Sequence, residues 1–161
     1  MTDAVLLPFV DAWSTEISAS PRVVWEVVLG MAPGATPSLP YRLWAWAWAA
    51  DPPASNGLAA HVLGAERPGF AVCEVVPPLT YALAGRHRFA RYQVVFRIEQ
   101  RGAGRSRLTA ETYAEFPGWP GRLYRTALLD ARLHGVVMWV MVRRVRRRAE
   151  ALARERDQMS S

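Results

Sequence analysis

The stretch RYQVVFRIEQRGAGRSRLTAETYAEF, from Arg91 to Phe116, decides the reading of the fold. Its first half alternates. Tyr92, Val94, Phe96 and Ile98 point one way; Arg91, Gln93, Val95, Arg97 and Glu99 point the other. Its second half repeats the pattern, with Leu108, Ala110, Thr112, Ala114 and Phe116 opposite Arg107, Thr109, Glu111, Tyr113 and Glu115. The RGAG between them is a turn signal. The stretch therefore reads as an antiparallel hairpin with one apolar face and one Arg/Glu face, part of a sheet covered on one side only. The outer Arg and Glu residues are placed for cross-strand pairs worth roughly a few tenths of a kcal/mol.

Upstream, the same grammar continues back to Leu58. LAAHVLGAE, GFAVCEVV and LTYALAGRHRF read as three further strands, separated by Arg67-Pro68, by Pro77-Pro78 and by a short break near Ala90. DPPASNG, from Asp51, is a breaker. YRLWAWAWAA, from Tyr41 to Ala50, fits two patterns: a strand with Trp44, Trp46 and Trp48 on one face, or a helix, which its alanines favour. Met31 to Pro40 is rich in Pro and Gly and reads as loop. Before it, Ser20-Pro21 is an N-cap followed by proline at the first helical position, opening the short helix PRVVWEVVL that stops at Gly30. DAWSTEISA, from Asp11, is a first strand with Trp13, Thr15 and Ile17 on one face.

Downstream, Pro117-Gly118-Trp119-Pro120 ends the sheet, and one long helix is expected from about Gly121 to Arg156. Tyr124, Leu128, Ala131, Gly135, Met138, Val142, Val145, Ala149 and Leu152 make a single stripe along it. A helix of that length spans about 54 Å, so its Arg-rich end, residues 143–161, is expected to overhang a single domain formed by residues 1–161. A sheet with one apolar face must cover it, and this helix is the one element long enough. The expectation is an α+β fold, with a curved antiparallel sheet of six or seven strands wrapped around the C-terminal helix.

With those elements in order, the chain resembles the START-like superfamily, also called helix-grip or SRPBCC, which includes Bet v 1-like and polyketide cyclase-like proteins. Three pieces carry the resemblance. ISASPRVVWEVV (Ile17 to Val28) is similar to the family's strand–turn–helix opening. Phe70 to Phe116 resembles its strand meander, with a proline pair ahead of GRHRF. GRLYRTALLDARLHGVVMWVMVRRVRRRAE (Gly121 to Glu150) resembles its closing helix. The Trp-rich segment from Leu39 to Pro53 departs from the pattern. The resemblance implies a cavity between sheet and helix that holds apolar or amphipathic molecules: lipids, sterols, polyketides or quinones. Some members catalyse cyclisation or aromatisation.

Composition narrows the chemistry. The 161 residues, 51% apolar and 21% charged, suit a globular domain with its own core. All 20 basic residues are Arg, which excludes Schiff-base and P-loop chemistry, both dependent on a Lys amine. Cys73 is the one cysteine and sits by no activating base, so neither a disulfide nor a nucleophile is expected. Three histidines without HxH or HxxxH spacing predict no metal site, and no cofactor is expected. The short apolar N-terminus lacks a basic region, and the most apolar run, LHGVVMWVMV from Leu133, is too short to span a bilayer; a soluble, cytoplasmic protein is expected. The net charge of +6 lies entirely beyond residue 120.

Within the implied cavity, His87 shares a face with Leu79, Tyr81, Leu83 and Phe89, where a neutral imidazole orients a ligand or serves as general base. The competing reading is a core histidine bonded to backbone. Tyr92 and Tyr81 are inward, with polar tips. Phe96, Ile98 and Leu108 form cavity wall or plain core. His134, Gly135 and Met138 lie on the helix facing it, Gly135 either leaving room for ligand or permitting close packing. His61, at a strand start, Trp13 and Trp25 read as structural. Glu111 falls on the outer face, and Glu74 is the one strand acid with an inward option. Without a paired acid and base, the cavity reads as binding a hydrophobic small molecule or lipid, as carrier or sensor, rather than as an enzyme. Two other readings stay open: a cyclase- or aromatase-like enzyme using His87 and Tyr92, and an interaction module whose cavity is filled by Trp side chains. Arg143, Arg144, Arg146, Arg147 and Arg148 follow a turn that is apolar all round, Val136 to Val140. They read as a solvated overhang, a homodimer contact or a peripheral contact with an anionic membrane; nucleic acid is disfavoured, because the aromatics do not interleave with the arginines.

Overall fold

A computed structural model describes residues 7–31, 39–126 and 133–159. The elements in order are β1 (Phe9–Ile17), α1 (Pro21–Met31), α2 (Leu39–Ala47), β2 (Glu66–Arg67), β3 (Phe70–Val76), β4 (Thr80–His87), β5 (Ala90–Gln100), β6 (Ser106–Glu115), α3 (Gly118–Arg125) and α4 (Leu133–Met159). The strands form one curved antiparallel sheet of order β1-β6-β5-β4-β3-β2. β2 to β6 is a meander, and the first strand closes it by pairing with the last. α4 lies along the apolar face, packed on β1 and on α1. This is the helix-grip arrangement that the resemblance implied.

The alternation in β5 and β6 holds with one exception. Val95, Phe96 and Ile98 are buried, as are Leu108, Ala110, Thr112 and Ala114; Val95, one of the outward set, is the exception to the expected faces. On the outer face Arg97 meets Glu111 at 3.1 Å and Arg107 meets Glu16 at 2.6 Å. Ile17, Val24, Ile98, Leu108, Val145 and Ala149 are the centre of the packed core. Each large one is worth about 1.5–3 kcal/mol of transfer free energy.

Several expectations need correction. LAAHVLGAE is not a strand: only Glu66–Arg67 is extended in the sheet, and it follows irregular chain with turns over residues 60–64. Asn56 organises that loop, donating to the Gly64 carbonyl at 2.8 Å while its oxygen accepts from the N–H groups of Leu58 and Glu66. Side-chain bonds of this kind compete with a ladder. In β3 the pairing register shifts between Val72 and Glu74. One extra residue reverses which side chains face inward, so Val75 is half-buried and Glu74 is exposed. The Trp-rich segment is helical, as its alanines favoured, through Ala47.

The expected helix from Gly121 to Arg156 is represented by α3 and α4; its residues 127–132, with Leu128 and Ala131 of the proposed stripe, lie outside the described residues. The Arg-rich end does not overhang from Arg143. Val145 and Ala149 are buried in the core, Leu152 packs against it, and Arg156 reaches Glu26 of α1 at 2.6 Å. With 27 residues α4 spans about 40 Å, and α1 runs alongside its second half.

Candidate functional site

The core fills only part of the space under α4. Strand registers place Tyr81, Phe96, Ala110 and Trp13 in one row across the sheet. On one side of this row, Ile98 and Leu108 are sealed by α1 and α4. On the other side the sheet and α4 diverge around a cavity of about 420 Å³. Leu83, Val94, Thr112, Ala114, Met138 and Met141 are among its walls, which are overwhelmingly apolar. The volume falls within the ordinary range of small-molecule sites, roughly 300–1,000 Å³.

Two polar clusters interrupt that lining. The first is built around His87 at the end of β4. The backbone N–H of Phe89 donates to His87 Nδ1 at 3.2 Å. Aromatic rings surround the imidazole: Tyr124 at 5.2 Å, Tyr92 at 5.5 Å, Trp48 at 5.8 Å and Phe89 at 6.3 Å between centroids. Burial holds the His87 pKa below the usual imidazole value and pushes the Tyr124 hydroxyl up. Trp48 is held over this cluster by backbone bonds. Arg88 N–H donates to the Trp48 carbonyl at 3.0 Å, and Asp51 and Arg86 exchange N–H···O bonds.

The second cluster joins β1, β6 and α4. His134 Nε2 lies 3.2 Å from Thr112 Oγ1 and 3.3 Å from Asp11 Oδ1. Trp13 Nε1 donates to the other oxygen of Asp11 at 3.0 Å. Asp11 Oδ1 is buried and takes no hydrogen bond from the described residues. A register shift between Phe9 and Asp11 makes this geometry possible, because it lets Val10 line the cavity while Asp11 stays on the inner face.

Of the residues singled out in the sequence, His87, Tyr92, Tyr81, Phe96, His134 and Met138 all line the cavity. The two tyrosines contribute ring faces, and their hydroxyls are engaged elsewhere. Tyr81 donates to the Ala60 carbonyl at 2.9 Å and Tyr92 to the Gly69 carbonyl at 2.6 Å. Three residues are corrected. Ile98 and Leu108 are plain core, on the sealed side of the Phe96 row. Gly135 leaves no room for a ligand: a Cβ there would lie 3.0 Å from Trp13 Cζ2, so it permits close packing of helix on strand. Glu111 is on the outer face, held by Arg97 and Tyr113. Trp13 and Trp25 pack with the core and leave the cavity open.

Asp11, Trp48 and Tyr124 complete the two clusters. Tyr124 was legible as a stripe residue and Asp11 as one step back on the inner face of Trp13, Thr15 and Ile17. Nothing in the local pattern around Trp48 signalled its partner. Arg143 lies over the Trp139 ring, 4.6 Å from its centroid, and Arg146 pairs with Glu150 at 3.0 Å. Among the described residues no helix is long and apolar enough to cross a membrane.

No family model matches the chain, and no curated protein matches it. Solved structures do. A conserved protein from Geobacillus kaustophilus is 14% identical over 89% of this chain and 94% of its own, with a TM-score of 0.50. At that identity the likeness is one of fold alone. A protein from Arthrobacter aurescens (11% identity, 94% and 93% coverage, TM-score 0.48) and CalU16 from Micromonospora echinospora (17%, 87% and 83%, 0.43) are also similar.

Proposed function

We propose that the protein binds an apolar small molecule or lipid in the cavity between the sheet and α4, as a carrier or sensor. In general terms the arrangement is that of a ligand-binding or interaction module. The observation that supports the finer reading is the cavity itself: about 420 Å³ of open space walled by Leu83, Val94, Met138 and Met141, with only a few polar groups. A folded core leaves such space unfilled at a cost in packing, which a bound molecule offsets. His87 gives the ligand its orientation. With Nδ1 occupied by Phe89 N–H, the neutral ring keeps Nε2–H as a donor. The preferred ligand has an apolar, flat body that packs among the rings around His87 and one acceptor oxygen at that end.

The test is native mass spectrometry of protein purified without detergent, with solvent extraction of any bound species, alongside uptake of an apolar fluorescent probe. A Val94→Trp variant, which narrows the cavity, is expected to weaken uptake while the fold persists. Equal uptake by that variant would sink the reading.

A second reading, acid–base catalysis on the bound molecule, draws on the 3.3 Å approach of Asp11 to His134. A carboxylate beside an imidazole is the arrangement that orients a proton-transferring histidine. His134→Ala with unchanged ligand retention and lost conversion of an extracted ligand would favour it. A ligand recovered unaltered from the unmutated protein favours the carrier.

A further inference from the structure

The described surface beside the cavity combines exposed apolar side chains with arginines. Three elements contribute to it. Val137 and Met138 of α4 line the cavity, Tyr124 of α3 lines it, and Trp48, just beyond α2, packs on Tyr124 at 5.4 Å. Each element turns large apolar side chains to solvent. Trp46 of α2 is 82% exposed, Trp119 and Leu123 of α3 are 71% and 65% exposed, and Val136, Val137 and Trp139 of α4 are also exposed. Scattered apolar residues are ordinary on a soluble surface; large exposed ones on α3 and α4, which line the cavity, and on α2, which leads to Trp48, mark a contact.

The charged side chains on these three elements, up to residue 149 of α4, are of one sign among the described residues. Leu39–Ala47, Gly118–Arg125 and residues 133–149 contain Arg42, Arg122, Arg125 and the arginines of 143–148, and no Asp or Glu. The first acid on α4 is Glu150, already engaged with Arg146. The outer face of the sheet is built differently, pairing Arg97 with Glu111, Arg101 with Glu99 and Arg107 with Glu16. Tryptophan and aliphatic side chains interspersed with arginines fit the headgroup region of an anionic bilayer, where rings sit at the boundary and guanidinium groups meet phosphate.

We propose that this face docks the protein on an anionic phospholipid bilayer, with the cavity's edge toward the lipid, so that an apolar ligand passes between membrane and cavity without crossing water. What docking accomplishes rests on the ligand-binding reading; docking itself stands on the surface. A second copy is a poorer occupant, because an isologous contact brings this basic face against itself. Nucleic acid would use the arginines and leave Val136, Val137 and Leu123 without a role.

The experiment is co-sedimentation with vesicles of phosphatidylcholine plus phosphatidylglycerol and of phosphatidylcholine alone, at low and high salt. Binding is expected to the anionic vesicles only, weakened by salt. The Arg144→Glu/Arg147→Glu variant is expected to lose at least about 25-fold in partitioning, at roughly fivefold per arginine. Trp119→Ser/Trp139→Ser is expected to lose roughly tenfold or more. Both variants should keep the circular dichroism spectrum and thermal midpoint of the unmutated protein, which shows that they are folded. Val94→Trp should still bind vesicles, so a failure of the ligand reading is distinguishable from a failure of docking. No binding, or equal binding to neutral vesicles, overturns the proposal. A dimer that the tryptophan variant dissociates, without vesicle binding, assigns the face to a second copy and overturns it. Duplex DNA bound equally well by the tryptophan variant and displacing vesicles overturns it in favour of nucleic acid.

Discussion

Phe89 donates its backbone N–H to His87 Nδ1 at 3.2 Å, which selects the Nε2–H tautomer of the neutral ring. The rings of Trp48, Phe89, Tyr92 and Tyr124 enclose this imidazole, and burial lowers its pKa. The unfolded chain, with an ordinary value of about 6.5, therefore takes up the proton before the folded protein does. Stability from this group is complete above about pH 6.5 and is lost as pH falls toward the folded-state pKa. Chemical denaturation across that interval should show a smaller acid loss in His87→Gln than in the unmutated protein. Ring 15N shifts should report the Nε2–H tautomer at neutral pH. The Nδ1–H tautomer there would refute the assignment.

Tyr81 and Tyr92 separate two roles that a polar tip on an inward face invites one to merge. Their hydroxyls end on the carbonyls of Ala60 and Gly69, so each ties a loop to the sheet. Tyr81→Phe leaves the Ala60 carbonyl without that donor and should cost about 0.5–1.5 kcal/mol. Probe affinity should be unchanged, since the ring face that lines the cavity stays. A large affinity loss with unaltered stability would show that the hydroxyl serves the ligand instead.

Glycine makes a sharper claim at two sites. A Cβ on Gly85 would run into the Gly69 carbonyl oxygen, and that same oxygen accepts the Tyr92 hydroxyl. Backbone cannot yield as a side-chain tip can. Gly85→Ala should displace the loop, break the Tyr92 bond and destabilise by about 2–3 kcal/mol. At Gly135 the obstacle is the Trp13 ring at 3.0 Å, so alanine sets a gain in helix propensity of about 1 kcal/mol against a small ring shift, whereas Gly135→Leu should cost about 1–3 kcal/mol by overpacking. Thermal denaturation of the three variants tests the order: Gly135→Ala least affected, Gly85→Ala and Gly135→Leu well below it.

The sheet was legible where alternation was unbroken. Residues 91–116 assign their faces because period two leaves few other choices, and the apolar stripe through Met138, Val142, Val145 and Ala149 identifies the gripping helix. Legibility failed at single-residue irregularities. The shift in β3 turns Glu74 outward, and the one in β1 lets Val10 and Asp11 both face inward; nothing in FAVCEVV or FVDAW marks the extra residue. It failed again where a side chain's partner is distant. Asn56 turns 58–65 into a loop, and Trp48 finds His87 from a segment whose local pattern says only that it is helix or strand. Periodicity also cannot say how far along a face the packing closes. Phe96 and Ile98 share a face, yet one lines the cavity and the other does not.

That last distinction has an energetic consequence. Leu108 is fully buried against α1 and α4, so Leu108→Ala removes packed methyl groups and leaves a new void. It should cost about 2–5 kcal/mol. Leu83 stands on the wall of space that is already open. Leu83→Ala loses transfer free energy and few packing contacts, and should cost no more than about half as much. It also widens the site, so affinity for a bulkier apolar probe should rise relative to a small one, whereas Leu108→Ala should leave that ratio unchanged. Denaturant midpoints with a pair of probes of different size measure both effects. Equal stability losses at the two positions, with no change in probe preference, would mean that the space beside Leu83 is closed in solution.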